Sequence, residues 1–295
     1  MKTLRVPATT ANLGSGFDSI GIALSLYNYV TYEASDRIIV DCSDDVPLDE
    51  NNLIIRCIAQ AFKYAGRAFN GVHIIQENNV PLARGLGSSS TCVTAGVAIA
   101  NDLMGGVFSK QDMVTLAASI EGHPDNVAPA ILGGFVAAVI DQGEVHYIRK
   151  ELNRDSVAFV AVVPDFMVST EEARAALPKQ FTMDNAVFNL SRAALLTAAF
   201  ITENYGLLRV ASDDNLHQQH RLKLVRGGED ILRKMLDCGA YCSTVSGSGP
   251  SLLATVPGDG SGSDVFEGIK AYVDEFYPTY QVIYLQADND GLVIT

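Results

Sequence analysis

Apolar positions in this chain recur at two periods, and the switches between them predict strands alternating with helices. In the first half, Val30-Thr31-Tyr32-Glu33, Ile38-Ile39-Val40 and Val72-His73-Ile74-Ile75 are β-branched or alternating and read as strands. Between the last two, Ile54, Ile58, Ala61, Phe62 and Ala65 recur at helical spacing. Cys92, Ala95, Gly96, Ile99 and Leu103 give a second helix one apolar face. A third opens at the capping-box-like Ser109-Lys110-Gln111-Asp112, with Met113, Leu116, Ala117 and Ile120 on one side. Gly133 to Ile140 reads as a strand, turned by Asp141-Gln142-Gly143-Glu144 into Val145-His146-Tyr147-Ile148.

A second unit begins near Ser156, where the unbroken run from Val157 to Val163 predicts a buried strand ended by Pro164. Helices follow at about 170–177, at 184–205 with Asp184 as cap and Gly206 as stop, and at 228–238 before Gly239. Strands near 241–245 and 251–256, a helix around 264–276 and a strand near 280–285 complete an α+β pattern. Neither an internal repeat nor a low-complexity linker separates the halves, so units 1–155 and 156–295 are expected to pack closely.

At 295 residues the chain has ample apolar content for real cores without staples. Acidic residues outnumber basic ones 34 to 21, a formal charge of -13, and no Lys/Arg run appears, which argues against nucleic acid or an anionic membrane as partner. The five cysteines, at 42, 57, 92, 238 and 242, form no C-x-x-C pair and read as reduced core thiols; nothing completes a metal site around Cys238 and Cys242. With no signal-like N-terminus and no apolar helix long enough to span a bilayer, a soluble cytoplasmic protein is expected.

Chemistry concentrates in a few short segments. Pro81, Leu82, Ala83, Arg84, Gly85, Leu86, Gly87, Ser88, Ser89, Ser90 and Thr91 make a glycine-broken loop that runs straight into the second helix. The first N–H groups of such a helix lack partners and point outward, a ready site for phosphate, and Gly85 and Gly87 let the backbone close on an anion. The loop matches neither G-x-x-x-x-G-K-[ST] nor a strand-borne G-x-G-x-x-G. A plain helix cap would explain one serine but explains the two glycines and the proline less well.

Pro7-Ala8-Thr9-Thr10-Ala11-Asn12-Leu13-Gly14-Ser15-Gly16-Phe17-Asp18 combines small residues with an amide and a carboxylate, a pattern equally open to a polar turn between strands. In Glu121-Gly122-His123-Pro124-Asp125-Asn126, Gly122 and Pro124 should end a helix and leave four polar side chains in six positions beside apolar sequence, which favours a functional loop. Thr170 and Arg174 share a helix face, where spacing alone favours an N-cap with a solvated arginine. Gly247 and Gly249 lie in a turn between two strands, where hairpin geometry alone could demand them.

From Pro7 to Ser251 these segments resemble the motifs of the GHMP small-molecule kinases, and the Pro7–Asp18 segment is similar to the homoserine-phosphorylating branch of that family. The resemblance implies a two-domain GHMP kinase fold, with a ribosomal-S5-like N-terminal domain over 1–155, a ferredoxin-like C-terminal domain over 156–295 and the active site between them. It also implies ATP as co-substrate on the Pro81–Thr91 loop, with the Gly247 and Gly249 backbone close by and Asn52, with Asn51, near the adenine. Mg²⁺ would sit on Glu121 with a hydroxyl from Ser88 or Ser89, a donor set sufficient for an ion that takes its other oxygens from phosphate and water.

On the acceptor side, the resemblance places Asn12 and Asp18 against an amino acid, Asp18 at its ammonium. His123, Asp125 and Asn126 join that site, Thr170 lies near the transferred phosphoryl, and Arg174 and Arg221 hold a carboxylate. These charges suit L-homoserine, which offers a carboxylate, an ammonium and a primary hydroxyl, whereas mevalonate lacks the ammonium and galactose lacks both charges. The expected reaction is ATP-dependent phosphorylation of homoserine in threonine biosynthesis, by an enzyme whose family suggests a homodimer. Rival readings are another acceptor within the family, or a member that binds nucleotide without catalysis. Several relatives carry Asp where this chain has Asn126, and an amide cannot take a proton. No dedicated base is therefore expected, and the proton would pass to Asp18, water or the phosphate.

Overall fold

The computed structural model describes all residues from Met1 to Thr295. The first half runs β1 (Lys2–Asn12), β2 (Gly16–Ala34), β3 (Ile38–Cys42), α1 (Leu53–Tyr64), β4 (Val72–Glu77), α2 (Ser88–Leu103), α3 (Lys110–Glu121), α4 (Val127–Leu132), β5 (Phe135–Asp141) and β6 (Glu144–Lys150). The second runs β7 (Val157–Val163), α5 (Thr170–Ala175), α6 (Met183–Ile201), α7 (Leu208–Ala211), α8 (Gln218–Arg221), α9 (Gly228–Asp237), β8 (Cys242–Val245), β9 (Leu252–Pro257), α10 (Gly260–Phe276), β10 (Gln281–Leu285) and β11 (Val293–Ile294). No helix is long and apolar enough to cross a membrane.

The first sheet has the order β11-β1-β2-β4-β3, with β5 also on β2 and β6 beyond it; only β3 and β4 are parallel. Helices α1 to α4 bury their apolar stripes on one face, where Val6, Val30 and Ile74 meet Ile58, Ile99 and Val114. The second sheet is antiparallel in the order β10-β7-β9-β8. In β7 every side chain is buried because the strand is covered on both faces. Val157, Phe159, Ala161 and Val163 face a core shared with β1, β2 and α6, while Ala158, Val160 and Val162 face α9 and α10. The shared core includes the stacked pair Phe135 and Phe200, centroids 4.7 Å apart, which ties β5 to α6. The chain then returns to its start, because residues from 286 on leave the second sheet and β11 pairs with β1 at Leu4 and Arg5.

Several boundaries differ from the periodicity. Pro7–Asp18 is the closing end of a long hairpin rather than a simple turn, with Asn12, Leu13 and Asp18 all at positive φ. The cap of helix α6 lies two residues earlier than Asp184 suggests, since the Thr182 hydroxyl accepts from the Asn185 N–H. The helix stops at Ile201, well before Gly206. Glu203 takes a left-handed φ of 58° while the Asn204 and Glu203 amides bond back to Ala199 and Phe200, a Schellman-type stop with no glycine to announce it. Ser169, not Thr170, caps α5 by accepting from the Glu172 N–H.

Candidate active site

A cavity of about 410 Å³ draws its wall from both halves of the chain. One end is the mouth of α2. The first hydrogen bond of that helix runs from the Thr91 N–H to the Gly87 carbonyl, and no side chain caps it, so the amides of Ser88, Ser89 and Ser90 open into the cavity unpaired by the helix. Gly87 at φ 71° is needed for two reasons: its conformation is left-handed, and a Cβ there would lie 2.0 Å from the Thr9 hydroxyl. The loop before it is held by the second half of the chain. Arg84 donates from Nε to the Pro164 carbonyl at 2.9 Å and from Nη2 to the Asp165 carbonyl at 3.0 Å, while the Ser246 hydroxyl donates to the Gly85 carbonyl at 2.7 Å.

Not every residue of the loop segment reaches the cavity. Leu86 is a fully buried core residue, Thr91 is spent on Asn28 and the Ser88 carbonyl, and Arg84 is a strap, so none of these lines the wall. Pro81 and Gly249 also stay out of it, while Leu82, Ala83, Gly85, Gly87, Ser88, Ser89, Ser90 and Gly247 are in it. Beside the α2 mouth stands Glu121, accepting from the Ser90 hydroxyl at 2.9 Å and from Ser89 at 3.4 Å. The Ser88 hydroxyl is turned the other way, accepting from the Ala83 N–H at 3.2 Å, so Ser90 replaces it as the hydroxyl nearest the carboxylate.

Val46, Pro47, Leu53, Leu82 and Cys92 give the cavity an apolar stretch of wall. Asn52 lies at its edge with its amide already engaged: Oδ1 caps α1 through the Ile54 N–H, and Nδ2 donates to the Pro47 carbonyl and to Gln76. Asn51 bonds to Asp49 outside the cavity. Gln76 is the residue that sequence reading missed here. It sits in register with the inward Val72 and Ile74 of β4, so a polar amide at an apolar position was the available signal. Burial pushes the Cys92 thiol up to about 11, which keeps it protonated.

The other end of the cavity carries charge. Asp18, Arg174 and Arg221 all line it, with His123, Asp125, Asn126 and Thr170 alongside. Arg174 pairs with Asp18 through two bonds of 3.1 and 3.2 Å. Both side chains are substantially exposed, so the pair is worth only about 0.2–1 kcal/mol and exchanges readily for ligand groups. Asn12 is committed to the protein: Oδ1 accepts from the Asp18 N–H at 3.0 Å and Nδ2 donates to the Gly247 carbonyl at 2.8 Å. It thereby holds Asp18 in its left-handed φ of 54°.

His123 meets Asp125 at 2.5 Å, and Asn126 donates to the same carboxylate oxygen while accepting from the Thr9 hydroxyl at 2.8 Å. Burial works against charge on His123, but the hydrogen bond and charge of Asp125 prevail and raise its pKa above the ordinary value. Arg221 is buried at 2% exposure, and its Nη1 donates to the Gly247 carbonyl at 2.8 Å. Nowhere in the chain do three His, Cys, Asp or Glu side chains converge as for a metal, and Cys238 and Cys242 are free thiols.

A cleft with amides for phosphate at one end and mixed fixed charges at the other can bring an anionic donor against a small zwitterion. Known proteins share this chain's pattern. The family model for the GHMP kinases N terminal domain matches residues 52–134. A homoserine kinase of Desulfitobacterium hafniense is 46% identical over 260 residues, covering 87% of each chain. One of Clostridium botulinum (strain Alaska E43 / Type E3) is 39% identical over 296 residues, covering 100% of this chain and 98% of the relative. The crystal structure of homoserine kinase from Cytophaga hutchinsonii superposes with a TM-score of 0.89 at 27% identity, covering 100% of this chain and 97% of that one.

Proposed function

The chain belongs to the homoserine kinases within the GHMP kinase family, and from that premise we propose that it moves the γ-phosphoryl of ATP to the hydroxyl of L-homoserine, giving O-phospho-L-homoserine. Phosphoryl transfer asks a protein mainly for positioning and for charge to meet the negative oxygens of the moving group. The Ser88, Ser89 and Ser90 amides and the positive end of the sixteen-residue α2 answer that need for the β- and γ-phosphates. The apolar wall of Val46, Pro47 and Leu53 takes the adenine.

Glu121 with the Ser89 and Ser90 hydroxyls is an all-oxygen donor set, which fits Mg²⁺, an ion that keeps water and phosphate as its remaining ligands. When bound it supplies charge neutralisation along the phosphates. The acceptor's ammonium takes the place of Arg174 on Asp18, and its carboxylate bridges Arg174 and Arg221. Asn126, His123 and Thr170 flank the hydroxyl. Asn126 has no basicity and the Nδ1 of His123 is bonded to Asp125, so the hydroxyl's proton leaves to Asp18, water or the phosphate. A cytoplasmic location, where ATP is abundant, is part of the same reading.

The single observation that carries the reading is one carboxylate and two arginines, Asp18, Arg174 and Arg221, in the same cavity as the open α2 amides. Release of ADP, measured with homoserine, mevalonate and galactose at matched concentration, tests it. ADP should accumulate with homoserine alone; comparable turnover with mevalonate, or nucleotide binding with no turnover on any acceptor, would contradict it.

A further inference from the structure

We infer that His217, neutral and protonated on Nε2, is the positioning residue that sets the roll of the Arg221 guanidinium and presents its free Nη2 to the acceptor's carboxylate, which deepens the acceptor site proposed above and rests on it. The imidazole is wholly buried, with Nε2 2.8 Å from the Gly14 carbonyl and Nδ1 3.2 Å from Nη1 of Arg221. A carbonyl only accepts, so Nε2 carries the proton; a guanidinium only donates, so Nδ1 carries none. Burial first, and the charge of Arg221 besides, outweigh the pull of Asp214 and keep His217 below its ordinary pKa.

The two protons of Nη1 are thereby both spoken for, one by Gly247 and one by His217. Arg221 makes no other side-chain hydrogen bond, and its Nε is buried without a partner. A guanidinium fixed at one corner by two acceptors cannot turn about its axis, and the accessible donor left to meet a carboxylate is Nη2. The support behind it is rigid. Asp214 accepts from the backbone amides of Leu216, His217 and Gln218, which sets the turn that carries the imidazole. Phe17 stacks on that imidazole at 5.0 Å and lies 5.1 Å from the Arg221 guanidinium and 5.8 Å from that of Arg174. One aromatic ring therefore lies against both arginines.

The test compares L-homoserine with L-homoserine amide, which lacks only the carboxylate charge, as a ratio of kcat/KM values. His217→Phe keeps the ring and its stack on Phe17 but offers no acceptor. It should lower the preference for homoserine over the amide at least about tenfold, with KM for ATP unchanged within about twofold. His217→Asn puts an amide oxygen near the Nδ1 position and should retain most of the preference. A purely structural role would depress both acceptors equally and leave the ratio intact, which overturns the inference. If His217→Phe fails a melting test, His217→Gln replaces it, since its amide nitrogen falls near the Nε2 position, donates to the Gly14 carbonyl and leaves no acceptor at the Nδ1 position; equal ratios for the Gln and Asn variants overturn the inference as well. A wild-type enzyme inactive on homoserine would instead sink the proposed function itself, while one that uses both acceptors equally would sink carboxylate recognition alone.

Discussion

Glu121 shows how little a single side chain needs to do in this cleft, and how specific that little is. Its carboxylate stands at the α2 mouth, receives two serine hydroxyls, and has no cation of the protein paired with it. Glu121→Gln keeps the size and an oxygen for Ser90 but removes the charge. It should lower kcat by roughly 100-fold or more at saturating ATP and Mg²⁺, with no loss of thermal stability. Steady-state kinetics beside a melting curve checks this; an unchanged kcat would remove Glu121 from the metal site. The contrast with Asn12 is instructive, because Asn12 lines the same cavity yet has both ends of its amide committed to Asp18 and Gly247. Its contribution is the placement of Asp18.

At the scale of elements, the nucleotide end depends on α2 starting where it does. The α2 mouth is pressed against β1 so closely that only Gly fits at 87, and Arg84 and Ser246 lash the preceding loop to the second half of the chain. Gly87→Ala would drive a methyl into Thr9 at a left-handed φ. It should cost about 1–3 kcal/mol of stability and raise KM for ATP at least about tenfold, with KM for homoserine moved far less. A melting curve and KM values for both substrates would show it, and unchanged values for both would mean that the loop is looser than described. The second helix and the serine run were legible in the sequence because glycines and helical spacing leave a local signature. The end of α6 was not, because Glu203 occupies a position where glycine is the usual marker. Gln76 was hidden for a related reason: its inward direction is set by the register of β4 against β2, which no short window contains.

For the whole molecule, the cleft exists because two sheets share one core and both halves of the chain supply its wall. The charged end joins Asp18 from β2 to Arg174 from α5 and Arg221 from α8, separated by about half the chain, and only the folded state brings them to one wall. Motif resemblance anticipated that grouping, whereas periodicity could not, and neither anticipated the His217 and Phe17 platform behind the arginines. The return of β11 to pair with β1 likewise escaped the local pattern, as a two-residue strand leaves almost no periodic trace. The most direct measurement is a crystal structure with homoserine and a non-hydrolysable ATP analogue bound together. It should place the β- and γ-phosphates on the Ser88–Ser90 amides and the homoserine carboxylate on Arg174 and Arg221, with its hydroxyl turned toward the γ-phosphorus. A triphosphate seated away from the α2 mouth, or an amino acid bound outside the charged end, would contradict the account.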